Sequence, residues 1–189
     1  LIDKHRDIAA FERAATLSWT QAQVQLRHFG IVPGEAGLFQ RLAGHLIYAA
    51  SALRPSSDTI RRGSGGQPEL WTLGVSGDLP IVLLRIAEME NLAIAHQLLR
   101  AHEYWRIKQL AVDLVILNEH ASSYVQDLQG ALEGMVRTSQ GRRPSGVEGP
   151  PGRVFVLRAD LMSDETHALL ASVARVVLVG QRGRLSDQL

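Results

Sequence analysis

The sequence predicts an α/β fold: a small, mainly parallel, three- to four-stranded sheet flanked by helices, with an N-terminal helical part. Two observations carry the sheet. Residues 80–86 (Pro-Ile-Val-Leu-Leu-Arg-Ile) and 112–117 (Val-Asp-Leu-Val-Ile-Leu) are short, mostly apolar runs without polar alternation, the pattern of strands covered on both faces. A third observation sets the connections. Helical segments separate the runs, and strand, helix, strand, helix, strand, helix is the signature of βαβ units, whose strands lie parallel.

In chain order, Phe11, Ala14, Ala15, Leu17, Ala22, Val24, Leu26 and Phe29 recur at three- and four-residue steps and predict an amphipathic helix over 9–28. Gly30 ends it, with Pro33 just beyond. Leu38, Phe39, Leu42, Leu46 and Ile47 share one face of a second helix over 35–50, and Pro55 closes that region. A short helical turn fits 57–61. The stretch 61–68 (Arg-Arg-Gly-Ser-Gly-Gly-Gln-Pro) reads as a flexible loop and sets the boundary between a helical region, residues 1–65, and an α/β domain, residues 66–189. In the second part, 70–75 is a candidate extra strand and 87–109 a long helix. A further helix covers 122–138, and a loop rich in Gly, Pro and Arg covers 140–152. Residues 154–157 form the third strand of the βαβ series. Ser163-Asp164-Glu165 opens the last helix: a capping residue, then acidic side chains that suit the positive end of the helix dipole.

Composition excludes several function classes. Twenty basic and nineteen acidic residues leave a net charge of +1, with no general attraction to nucleic acid or anionic lipid. Cysteine is absent, which removes disulfides, thiolate zinc sites and cysteine nucleophiles. The longest apolar stretches, 79–86 and 173–179, fall far short of the roughly 20 residues that span a bilayer. The first residues, Leu-Ile-Asp-Lys-His-Arg, form no signal peptide, and both ends read as cut from a longer chain.

Short motifs carry little chemistry. Gly63-Ser64-Gly65-Gly66 has no strand before it and no Lys-Ser/Thr after it, so a phosphate-cradling loop is not expected. Gly74-Val75-Ser76-Gly77-Asp78 departs from the Gly-x-Ser-x-Gly nucleophile elbow and precedes a strand. Ser76 comes before the first strand and His120 after the second. Parallel strands would put them about 20 Å apart, too far for a triad. The plainer reading is a tight turn, with Asp78 bonding local backbone amides. The seven histidines include no His-x-x-x-His or His-Glu-x-x-His pair, so no metal site is expected. The cluster His102-Glu103-Tyr104-Trp105-Arg106 could stack on a sugar; packing against a neighbour, with bonded polar tips, is favoured.

Topology supplies the candidate site. Open parallel sheets bind ligands beyond the carboxyl ends of their strands. Those ends hold Arg85 and Glu88, then Asn118, Glu119 and His120, then Arg158 and Asp160. The candidate ligand-binding set is therefore Arg85, Asn118, Glu119, His120, Arg158 and Asp160, with helix capping and surface ion pairs as the alternative. No catalytic residue, metal or cofactor is assigned.

Longer phrases are more specific. Residues 11–14, 25–28 and 35–43, then Gly74-Val75-Ser76-Gly77-Asp78-Leu79-Pro80-Ile81-Val82-Leu83, Leu98-Leu99-Arg100-Ala101-His102-Glu103-Tyr104-Trp105-Arg106 and Val112-Asp113-Leu114-Val115-Ile116-Leu117-Asn118-Glu119-His120, run in order along nearly the whole chain. Together they resemble the cyclic β-1,2-glucan synthases of Gram-negative bacteria, in the C-terminal half that is similar to glycoside phosphorylases. The resemblance implies a very large parent anchored in the inner membrane that makes cyclic β-1,2-glucan from UDP-glucose, with a phosphorylase-like region controlling chain length. This segment would be soluble, on the cytoplasmic face. It would be a non-catalytic scaffold between β-sandwich modules, ahead of an (α/α)-barrel, with those domains as its partners. The alternative is a module that binds β-1,2-glucan in the strand-end crevice. No residue matches the family's catalytic acid or phosphate ligands.

Overall fold

A computed structural model describes residues 7–63, 65–120, 127–141 and 152–189. The chain divides into two compact units between Gly37 and Leu38. In the first, helix α1 (Ile8–His28) starts where the Asp7 carboxylate accepts a hydrogen bond from the Ala9 N–H. It ends in a reversal at Gly30 (φ +63°), where the Ile31 N–H reaches back to the Leu26 carbonyl. Helix α2 (Pro33–Tyr48) starts here and runs on into the second unit.

The second unit contains α3 (Ser57–Arg62), α4 (Gln67–Trp71), β1 (Ile81–Ile86), α5 (Leu92–Ile107), β2 (Asp113–Asn118), α6 (Asp127–Gly141), β3 (Val154–Arg158), α7 (Asp164–Val173), β4 (Val176–Val179) and α8 (Leu185–Gln188). The four strands form one parallel sheet in the order β3-β2-β1-β4. Every residue of β2 is buried, and so is every residue of β1 except Arg85, as expected for strands covered on both faces.

The alternation of side chains sorts the helices. Ile81, Leu83, Val115 and Leu117 point to one face and pack with Leu169 and Leu170 of α7 and with Leu70 and Val75. Asn118 has the opposite parity, and its amide donates to Gln129 of α6, so α6 lies on the other face, in contact with α5. On α5, Trp105 is buried and its indole N–H donates to the Phe39 carbonyl, while the Tyr104 hydroxyl accepts from Gln40. The aromatic cluster is therefore packing with bonded polar tips.

Three expectations need correction. Residues 70–75 are not a strand: they hold the end of α4 and a reversal at Gly74 (φ +75°), closed by a bond from the Val75 N–H to the Leu70 carbonyl. Pro68 at the start of this turn fits a helix better than a ladder. The fourth strand is instead β4, inside the apolar run 173–179, and it lies on the free side of β1. The 87–109 helix begins later, at Leu92 after a 3-10 turn over Met89–Asn91. The expected start of α6 at 122, and most of the 140–152 loop, lie outside the described residues.

The turn before β1 is held differently from the expectation as well. The Asp78 N–H donates to Ser76 Oγ, and the Asp78 carboxylate takes its bond from the Gln67 side chain. At the amino end of the sheet, buried Asp113 accepts from the Arg153 N–H at 2.9 Å and fixes the entry to β3. Burial pushes its pKa up, against the partial relief of that bond. At the opposite edge, the Gln188 side-chain amide bonds both the N–H (3.1 Å) and the carbonyl (2.9 Å) of Val179, as a neighbouring strand would.

The end of α5 repeats the same reversal with Gln109 at φ +61°, where the Leu110 N–H bonds the Trp105 carbonyl. A left-handed non-glycine residue costs roughly 1–2 kcal/mol. A Cβ added at Gly74 meets nothing within 4 Å. Gly74→Ala should therefore lower the unfolding free energy in urea by about 1–2 kcal/mol through backbone strain alone, and Gln109→Gly, at an exposed site, should raise it by up to about 1 kcal/mol. Equal melts for wild type and both variants would contradict this account of the helix ends.

Candidate functional site

The carboxyl ends of β1, β2 and β3 align in register, so all the candidate residues stand at one end of the sheet. The described hydrogen bonds draw them to different partners. Arg158, at the end of β3, and Asp160, in the turn that follows, form a two-pronged ion pair, with Nε to Oδ1 at 3.0 Å and Nη2 to Oδ2 at 2.5 Å. The Arg158 fork holds Asp160 below the usual carboxylate range. Asn118 is buried; it donates to Gln129 and accepts from the backbone N–H of His120. His120 turns Nδ1 to the Ala87 carbonyl at 2.8 Å, which places that ring proton on Nδ1. These four residues tie strand ends to adjoining loops and to α6. Ser76 lies at the far end of the sheet from His120, as expected from parallel strands.

Arg85 and Glu119 behave differently. Both point to the α7 face. The Glu119 carboxylate accepts from Arg85 Nε at 2.7 Å and from His167 Nε2 at 3.1 Å. Burial opposes its ionisation, but the bonds from His167 and Arg85 and the Arg85 charge outweigh it, and its pKa lies below the ordinary 4.5. His167 sits on α7, which Ser163 caps with a bond from the Thr166 N–H. The sequence reading found this cap but not His167. No motif spacing marks a histidine that reaches across from another element.

Beside this cluster lies a cavity of about 770 Å³, walled by the 52–62 segment, α7, β4 and its following turn, and α8. Of the candidate residues it takes in only Arg85. Its other arginines, Arg54, Arg62 and Arg182, were not singled out from the sequence: Arg182 follows β4, which was not recognised as a strand, and Arg54 and Arg62 lie in the helical segment before the sheet. Among the described residues no group of His, Asp or Glu could hold a metal ion, and no helix is long and apolar enough to cross a membrane.

The whole of this chain aligns, at 42% identity over 188 residues, with the cyclic β-(1,2)-glucan synthase NdvB of Rhizobium meliloti. The chain is related throughout to one segment of that synthase. It spans 7% of the length of this relative. No family model matches it. The similarity to cyclic β-1,2-glucan synthases read from the long phrases of the sequence is thereby shown for this segment, whose α/β unit is the small parallel sheet that the sequence predicts.

Because the pKa of Glu119 is depressed, its contribution to stability is full above its unfolded pKa and lost as pH falls through the folded value. Glu119→Gln should therefore be less stable than wild type near neutrality, and the gap should close as the pH drops below about 4.5. Urea midpoints across that range give the test; a gap that stays constant or widens in acid would remove Glu119 as the hub of this cluster.

Proposed function

We propose that this chain is a non-catalytic scaffold segment of a cyclic β-1,2-glucan synthase-like protein, holding neighbouring domains of its parent in place. The observation that carries the reading is α1. None of its residues is buried, and Ile8, Phe11, Leu17, Trp19 and Val24 are 61–75% exposed. At about 100° per residue, Ile8, Phe11 and Trp19 fall on one side of the helix and Leu17 and Val24 on roughly the opposite side. A helix exposing apolar groups on two sides is suited to lie between two partners. The relationship to one segment of a much longer synthase supplies the setting. The dispersal of Asn118, His120, Arg158 and Asp160 into local bonds argues against a glucan crevice built from them. The partners in this reading are the adjoining β-sandwich and (α/α)-barrel domains, at the cytoplasmic face of the inner membrane.

Arg13 and Arg27 lie on α1 and are exposed. Limited trypsin digestion should cut there in the 189-residue chain and be strongly slowed in the complete parent. Equal cleavage in both would leave the helix without partners and end the scaffold reading. A tryptophan fluorescence titration with linear and cyclic β-1,2-glucan should be flat, although Trp19 and Trp71 are exposed reporters. A saturable change abolished by His120→Ala would instead favour the glucan-binding module.

A further inference from the structure

The strand order β3-β2-β1-β4 contains a reversal. From β1 the chain moves outward through β2 and β3 and then returns to the free side of β1 as β4. Ligands of open α/β sheets bind outside the carboxyl ends of the strands at such a reversal. The 770 Å³ cavity lies there, on the α7 face: Arg85 comes from the end of β1, Val177 and Val179 from β4, and Arg182 from the turn that follows. Its volume is within the range of small-molecule sites.

The wall has a definite chemistry. Four guanidinium groups, Arg54, Arg62, Arg85 and Arg182, face two carboxylates, Asp164 and Asp187. The Arg85 charge is answered by Glu119, so Arg85 serves as a fixed wall. Arg54 is anchored by a bond from Nη2 to the Ser172 carbonyl at 3.1 Å and keeps its remaining donors. Among the described residues, the guanidinium groups of Arg62 and Arg182 have no partner. Asp187 is engaged at home, accepting from the Arg184 N–H at 2.8 Å.

Guanidinium forks match tetrahedral oxyanions in shape and charge. A neutral sugar suits the wall poorly, since its described lining has no Phe, Tyr or Trp for a sugar face to pack on. A dinucleotide suits it poorly too. The residues after β1 are Ala87-Glu88-Met89-Glu90, not a glycine-rich turn, and their carboxylates oppose a diphosphate.

We propose that this cleft binds a small phosphate-bearing molecule, with the phosphate group held by Arg54, Arg62 and Arg182. The site is independent of the scaffold reading, because it uses none of α1.

Isothermal titration of the 189-residue chain with inorganic phosphate, a hexose phosphate, glucose and linear β-1,2-glucan tests it, with circular dichroism confirming that each variant is folded. One-site binding of a phosphate compound is expected. Tighter binding of the hexose phosphate would identify an ester as the ligand, and equal binding would identify free phosphate; both support the site. Arg62→Gln and Arg182→Gln should each weaken binding by roughly tenfold or more, the scale of one charge-assisted hydrogen bond. Arg175→Gln, an exposed arginine just before β4 and outside the cleft, should bind like wild type. No binding of either phosphate compound by the folded chain would overturn the proposal. So would binding of glucan alone, or a loss in Arg175→Gln as large as in the cleft variants.

Discussion

The α/β unit depends on the double pairing of β1. This strand hydrogen-bonds to β2 on one side and β4 on the other, both parallel, and all but one of its residues are buried. Parallel neighbours cannot be joined by tight turns, so each pairing forces a crossover through a helix. The crossovers to β2 and β3 put α5 and α6 on one face, and the return to β4 puts α7 on the other. The two-layer cover, the reversal of strand order and the location of the cleft all follow from a central strand with partners on both sides.

A parallel sheet gathers its strand ends, and with them the polar residues that close each strand. Those residues divide by where their partners come from. Arg158 and Asp160 satisfy each other two positions apart, and Asn118 reaches the adjacent helix. Glu119 draws partners from two distant elements, β1 and α7. A half-buried carboxylate with two such donors stays ionised at neutral pH and ties α7 to the end of the sheet. Arg85 and His167, both in the wall of the cleft, are held by that bond pair.

Much of this was legible in the sequence. The unalternating runs 80–86 and 112–117 could be little else than covered strands, and Ser163-Asp164-Glu165 marked the start of α7 to the residue. The strand β4 escaped because it is four residues long and abuts a helix of similar hydropathy, so Val173–Val179, interrupted only by Arg175, reads as one stretch. Residues 70–75 misled for the converse reason: Leu70 and Val75 are core residues supplied by a helix end and a turn, and apolarity alone does not separate these from a strand. The candidate site suffered with the strand. Without β4 there is no reversal to locate, and Arg182 and His167 are an ordinary arginine and an ordinary histidine. Arg85 and Glu119 were found because their position at strand ends is a local property; their shared partner His167 is not.

The bond from Gln188 to Val179 bears on how the molecule behaves in a crowded solution. An edge strand with unpaired N–H and C=O groups is a template on which a second chain can add itself. One carboxamide, donating and accepting at the same residue, occupies that template with the groups an invading strand would use. Resistance to sheet-by-sheet polymerisation on this edge thus rests partly on a single side chain, which neither the core nor the net charge of the protein would replace.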